Sequence, residues 1–192
     1  MAKLVLVKHA PPEITPEVAS HRWVLSAEGR DRCDWLASEL AGQGVTQIYA
    51  SLEPKALETA ALVAVRLGLD VRPRSDLHEN DRMSLGFLPM DELRARIGRF
   101  FDEPSVLVIG TETAEAAGGR FEAAIRALLA EAGGEIAAVV THGTVLTTLV
   151  TRHNPVEAFA FWDSLTVPSL VVLDGDSFRL DGQPVTSPRL KP

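Results

Sequence analysis

The sequence has little of what marks a secreted, membrane-spanning or nucleic-acid-coating protein. It carries one cysteine, Cys33, in 192 residues. A disulfide framework within the chain is therefore excluded, and the lone thiol reads as a small buried apolar side chain. No stretch approaches the roughly 18 uninterrupted apolar residues of a membrane-spanning helix. Behind Lys3 the first apolar run, Leu4-Val5-Leu6-Val7, is cut short by Lys8, which is too brief for a secretory leader. A cytoplasmic location and no membrane partner are the expectations. Basic residues are also in deficit: 19 Lys and Arg face 26 Asp and Glu, for a formal charge of -7. That argues against non-specific nucleic-acid binding, although a local cationic pocket can exist on an acidic chain. There is no His-x-x-x-His or Cys-x-x-Cys pair, so no metal site is expected. No Gly-x-Gly-x-x-Gly follows the first strand and there is no Walker sequence, so no nucleotide cofactor is expected either.

What is present is an alternation of apolar strands and amphipathic helices. Residues 3–8 read as a short buried strand closed by Pro11-Pro12. Ser26 reads as the N-cap of a helix whose apolar face is Cys33, Leu36, Ala37 and Leu40, ended by Gly42 and Gly44. Residues 47–51 form a second strand, and Pro54 starts a helix with Leu57, Ala61, Ala64 and Val65 on one face, up to Gly68. A brief strand is expected at 69–72, an amphipathic stretch at 91–101, and a strand or extended loop at 105–109. An Ala-rich helix over 113–132 is expected to break at Gly118-Gly119. Residues 136–141 form a strand, followed at once by His142-Gly143 and a helix to about 151. Residues 169–174 and 177–180 read as a hairpin. The pattern predicts an α/β chain, a three-layer α/β/α sandwich with a mainly parallel central sheet. It is read as a single domain over 1–192, with 181–192 a loosely held tail. The apolar stretch Ala158-Phe159-Ala160-Phe161, with Trp162, suits core or the interface of a homodimer.

Polar groups cluster just after the strands, where sites form in open α/β sheets. They are Lys8-His9, the run Ser51 to Lys55, and His142. Five pieces, LVLVKHA, LSAEGRDRCDWLASEL, YASLEPKALETAALVAVRLGL, LHE and VVTHGTV, occur in an order that resembles the histidine phosphatase superfamily, its phosphoglycerate-mutase-like branch. The resemblance spans roughly residues 3–175. Lys8-His9-Ala10 stands where the family has Arg-His-Gly. Ser51, Ala56, Glu58, Thr59 and Ala60 match its second motif, with Lys55 at the Arg position. Glu79 matches the acidic element, and His142-Gly143 the final His-Gly. The stretch 110–115, with Arg120 beyond, loosely resembles the family's Gly-Glu-Ser region.

The resemblance implies a chemistry that suits these residue types. A neutral imidazole, His9, attacks phosphorus in line and forms a phosphohistidine. Lys8, Lys55, His142 and the helix N-terminus at Gly143 cradle the phosphoryl oxygens. Glu79 protonates the leaving oxygen, its pKa raised by the nearby phosphate. The implied partner is a small phosphorylated substrate, and no cofactor is implied. Read without the family, Ser51 and Thr59 have local packing roles, and His21, His78 and His153 surface or local ones.

Departures from the family are specific. Both cradle arginines are lysines, which offer a point charge in place of a two-pronged grip. Ala10 replaces a glycine, and Pro11-Pro12-Glu13-Ile14 stands where the family often has an asparagine. Three readings follow: a phosphatase, expected from the short span between His9 and Leu25; a phospholigand-binding module with weakened or no turnover; and a phosphoglycerate-mutase-like phosphotransferase.

Overall fold

The computed structural model describes residues 3–82 and 86–188. One six-stranded sheet runs through the molecule in the order β3-β2-β4-β1-β5-β6. Its strands are β1 (Lys3–Lys8), β2 (Gln47–Ser51), β3 (Val71–Arg74), β4 (Ala137–Thr141), β5 (Ser169–Asp174) and β6 (Val185–Thr186). The first four are mutually parallel, β5 is antiparallel to β1, and β6 is antiparallel to β5. The helices are α1 (Ala27–Gly42), α2 (Pro54–Leu67), α3 (Met90–Asp102), α4 (Ala114–Ala132), α5 (Gly143–His153) and α6 (Ala158–Ser164).

The central strands β1, β4 and β5 are almost wholly apolar because both faces of the sheet are covered there, whereas the edge strand β3 (VRPR) is half-exposed. Alternate residues take opposite sides. Val5 and Val7 pack with Leu36, Leu40 and Val63 of α1 and α2, while Leu4 and Leu6 pack with Phe100, Phe121, Leu146 and Leu149 of α3, α4 and α5. This is the expected three-layer arrangement. Ser26 caps α1 as anticipated, its hydroxyl accepting the Gly29 N–H at 3.0 Å.

Several expectations need correction. The buried face of α2 is Ala56, Thr59, Ala60, Val63 and Ala64, whereas Val65 is 81% exposed. Apolar residues lie on nearly every side of this helix, so its pattern points nowhere in particular. Tertiary hydrogen bonds choose the face, through Thr59 and Lys55. The strand expected at 69–72 begins at Val71, because the Leu69 N–H still bonds the Ala64 carbonyl at 3.0 Å behind the left-handed Gly68. Residues 105–109 form no strand. At the hairpin, the return segment makes a single bridge, Leu173 to Leu180, since the Asn154 amide takes the Leu180 N–H and the Phe178 carbonyl. Within 181–192, Val185–Thr186 pairs with Ser169 and Leu170 of β5 and Ser187 is buried; residues 189–192 lie outside the described residues.

The Ala-rich helix does not break at its glycine pair; α4 runs unbroken from Ala114 to Ala132. Gly118 is instead where α5 approaches. A Cβ there would stand 3.3 Å from the Thr148 Cβ and 3.1 Å from Arg152 Nη1. At Gly119 the nearest such atom is 3.8 Å away. Gly118→Leu should therefore lower stability by about 1–3 kcal/mol through overpacking. Gly119→Ala should raise it by up to about 1 kcal/mol through helix propensity. Urea unfolding of the two variants checks both signs.

Candidate active site

The parallel register of β1, β4 and β2 brings their carboxyl ends level. Lys8 pairs with Thr141, so His9 and His142 follow side by side, and the His9 N–H extends the ladder by bonding the Thr141 carbonyl at 3.0 Å. The two imidazole rings lie 5.3 Å apart, edge to face. Both are buried, His9 at 8% exposure and His142 at 0%.

His9 has a defined tautomer. Its Nδ1 lies 2.8 Å from the Ala10 carbonyl oxygen, which can only accept, so Nδ1 carries the proton. Nε2 keeps its lone pair. Burial, with the nearby His142 and Lys55, pushes the His9 pKa well below the ordinary imidazole value, so the ring is neutral. Its loop is fixed by the second motif. Thr59 Oγ1 accepts the Ala10 N–H at 3.0 Å, and Glu58 accepts the Leu25 N–H at 2.9 Å and the Arg30 Nε–H at 2.6 Å. The local role read for Thr59 is what the structure shows.

His142 Nε2 lies 2.9 Å from Ser51 Oγ and 3.4 Å from Glu53 Oε1. Its Nδ1 is buried without a partner. Burial, then Lys55, pushes its pKa well down.

Glu79 reaches across to the start of α5. Its carboxylate accepts the Thr144 and Val145 N–H groups at 3.2 Å and the Asn80 N–H at 3.0 Å. The helix N-terminus expected to hold a phosphate therefore holds a carboxylate. Burial alone would raise the Glu79 pKa, but Arg82, His142 and the Asn80 N–H outweigh it, and the net direction is down. The raised pKa anticipated from sequence is thus absent without a bound anion. Arg120 staples the loop beneath, donating to the carbonyls of Asp76, His78 and Glu79 at 2.9, 3.1 and 3.2 Å and to Glu112 at 2.6 Å.

His9, Lys55, Glu79 and His142 all line one cavity of about 500 Å³. Lys8 and Gly143 are not among its walls. Lys8 packs beside Gly143, where a Cβ would stand 3.4 Å from its Nζ, and it donates to the Leu165 carbonyl at 2.8 Å and lies 5.8 Å from the Trp162 ring centroid. Lys55 stands in the cavity wall, but its ammonium already donates to Glu53 at 2.5 Å and to the Ser20 carbonyl at 2.9 Å. Glu53 also accepts the Glu79 N–H at 3.0 Å.

Sequence reading missed three residues here. Glu53 falls inside the polar run Ser51 to Lys55 without a role of its own, although an acidic residue between a strand end and Pro54 is a usable signal. Asn80 is 1% exposed, and neither end of its amide has a partner. Arg82 adds a guanidinium whose Nη2 lies 3.5 Å from Glu79 Oε2 and whose Nη1 is buried without a partner. His21 and His78 also line the cavity, beyond the local roles read for them. Among the described residues no group of three His, Cys, Asp or Glu side chains could hold a metal ion. No described helix is long and apolar enough to cross a membrane.

A mixed sheet of this order, with two adjacent histidines at the ends of parallel strands, has the phosphoglycerate-mutase-like fold. The chain belongs to the histidine phosphatase superfamily, branch 1, whose family model matches residues 4–181. No curated protein matches it in sequence. Among solved structures, a mycobacterial glucosyl-3-phosphoglycerate phosphatase superposes with a TM-score of 0.78 at 20% identity, over 97% of this chain and 100% of the other. A variant of phosphoserine phosphatase from Entamoeba histolytica, in complex with phosphoserine, gives 0.73 at 17% identity over 98% and 96%. Bacillus stearothermophilus YhfR gives 0.72 at 22% identity over 93% and 95%.

Lys8 has a testable consequence of its own. Burial lowers its pKa from 10.5 to about 8, partly offset by Glu79 and Asp163. Between those two values the unfolded chain keeps a proton that the folded one has released, so this group makes stability rise with pH there. Relative to Lys8→Met, the wild-type protein should gain about 2–3 kcal/mol between pH 8 and pH 10.5. Paired urea titrations at the two pH values measure that difference.

Proposed function

We propose that the protein is a phosphatase that hydrolyses a small phosphomonoester through phospho-His9. The observation that carries this reading is the His9 ring: neutral, held by the Ala10 carbonyl through Nδ1, with Nε2 unprotonated beside His142 in a cavity that also contains Glu79. An imidazole so placed needs no base to make it nucleophilic.

The steps balance as follows. Nε2 forms a bond to phosphorus while the ester P–O bond breaks. The departing oxygen takes a proton from Glu79, which has acquired it as the phosphoryl group arrives and sets negative charge beside the carboxyl. A water then attacks the phosphohistidine and gives its proton to Glu79. The P–N bond breaks, inorganic phosphate leaves, and the Nε2 lone pair is restored. Lys55 and His142 stand where charge develops on the phosphoryl oxygens. Lys8, packed beside Gly143 at the start of α5, adds a backing charge. Solved relatives support an oxyanion here: the mycobacterial phosphatase has been captured with inorganic phosphate and with VO3, and the Entamoeba variant with phosphoserine.

A second reading, a phospholigand-binding module that does not turn over, has one observation in its favour. Lys8 faces the Leu165 carbonyl and Lys55 is paired with Glu53, so neither is a free ammonium for a transition state.

Rapid quench with a 32P-labelled aryl phosphate separates the two. The phosphatase predicts acid-labile label on His9, and His9→Ala should abolish the label and lower turnover by about 10³-fold or more. Glu79→Gln should lower turnover by about 10²–10⁴-fold. Wild-type turnover in His9→Ala would remove the nucleophile from its proposed role. Binding of phosphate with no hydrolysis across a broad ester panel would select the module.

A further inference from the structure

The cavity contains a guanidinium that neither phosphate-binding motif supplies. Arg82 ends the short turn that begins at Glu79, and it is placed firmly. The Asp81 N–H bonds Glu112 at 2.8 Å, and the Asp81 carbonyl accepts the Thr111 N–H at 2.7 Å. Gly110, at a φ of +79°, lets the two segments touch, for a Cβ there would lie 1.9 Å from the Asp81 carbonyl oxygen. No other residue type fits that approach without moving the turn.

Three cations surround the His9–Glu79 pair, and their engagement differs. Lys8 donates to the Leu165 carbonyl at 2.8 Å. Lys55 holds Glu53 at 2.5 Å. Arg82 is held loosely: Nη2 is 3.5 Å from Glu79, at the outer limit of a hydrogen bond, and Nη1 has no partner although it is shielded from water. A buried, charged N–H without an acceptor is costly, and the cost falls when an anion arrives. Arginine is also the side chain whose planar fork matches two phosphoryl oxygens at once.

We infer that Arg82 serves as this site's phosphate-gripping arginine, leaving Glu79 when a phosphoryl group binds and placing its two Nη groups on two phosphoryl oxygens. This rests on the phosphatase reading only for its catalytic part; the grip itself is a binding claim. It also gives Glu79 its timing. The same exchange removes the carboxylate's neighbouring cation and sets an anion beside it, so Glu79 takes up a proton when the leaving oxygen needs one. Arg82 then does from a turn what the replaced motif arginines would do from β1 and α2.

The competing role for Arg82 is a strut that only steadies Glu79, and the test separates the two. Arg82→Ala and Arg82→Lys are first compared with wild type by thermal melting. Binding of inorganic phosphate and of vanadate is then measured by calorimetry, and kcat and KM with p-nitrophenyl phosphate across pH 4.5–8. The grip predicts that Arg82→Ala weakens phosphate binding at least tenfold and lowers kcat about 10²–10³-fold. Arg82→Lys should recover only part of either. Millimolar guanidinium should restore a measurable share of the Arg82→Ala activity, which guanidinium-free buffer of equal ionic strength should not. The alkaline limb of kcat/KM should move to higher pH in Arg82→Ala, because Glu79, which must hold a proton for the first transfer, loses a neighbouring cation in the free protein.

Unaltered phosphate binding in Arg82→Ala overturns the inference. So does an Arg82→Lys variant equal to wild type, since a point charge would then suffice. Wild-type protein that binds phosphate and hydrolyses nothing, with binding lost in Arg82→Ala, retires the phosphatase reading and keeps Arg82 as the anion grip. Wild-type protein that binds neither phosphate nor vanadate overturns both.

Discussion

The register between β1 and β4 is the constraint on which the rest depends. With Lys8 opposite Thr141, the residues after each strand come out level, and two imidazoles from positions 133 residues apart meet at 5.3 Å. A slip of one residue would do more than separate them. It would turn Leu4 and Leu6 toward α1 and α2 and Val5 and Val7 toward α4 and α5, since side chains alternate with a period of two. Both cores would have to repack at once. The hydrophobic alternation that stabilises the sheet is therefore the same feature that holds the site geometry, and no separate device is needed to align the histidines.

The site's cation and amide donors are balanced by its own carboxylates. Glu53 occupies Lys55, and Glu79 occupies the α5 N-terminus. These are the positions that an incoming phosphate favours, so a ligand must compete with groups already well bonded. Buried ion pairs are seldom a cheap source of stability. Their value here is that the cavity stays neutral enough to fold while its donors stay oriented. His21 Nδ1, His142 Nδ1, the Asn80 amide and Arg82 Nη1 are buried without partners and belong to residues lining this one cavity, while Arg32 Nε and the Thr144 and Thr147 hydroxyls are open outside it. Such a concentration of open polar groups in one place is what a ligand site presents.

The periodic elements were readable from sequence, and so was the ordering of His9, Lys55, Glu79 and His142 at strand ends. What escaped depended on neighbours distant in the chain. Gly118-Gly119 looks like a helix break until α5 is seen lying 3.3 Å from where a side chain would begin. The face of α2 could not be chosen among its many apolar residues until Thr59 and Lys55 were anchored. Glu53 and Arg82 look like ordinary charged loop residues, because their importance lies wholly in what they face. Lys8 is different. It shares the even positions of β1 with Leu4 and Leu6, and those point to α3, α4 and α5. The same alternation that identifies the strand places its ammonium on the side of Trp162 and Leu165, against Gly143 at the start of α5.

That placement bears on why lysine is tolerated at residue 8. An ammonium with one carbonyl to satisfy can be buried against Trp162 and contribute charge beside the start of α5, whereas a guanidinium there would bring five donors into a region that offers few acceptors. Moving the guanidinium to Arg82 changes more than its address. A cation at a strand end is held by the sheet and meets every ligand in the same way. A cation three residues from Glu79, on one turn clamped by Gly110 and Glu112, shares its motions with the carboxylate. On this reading, binding of the anion and protonation of the acid are coupled through a single short segment, so that a ligand too weakly charged to draw Arg82 away would also leave Glu79 ionised. Discrimination for a phosphoryl dianion would then arise from that competition between two anions for one guanidinium, with no lid or additional pocket required.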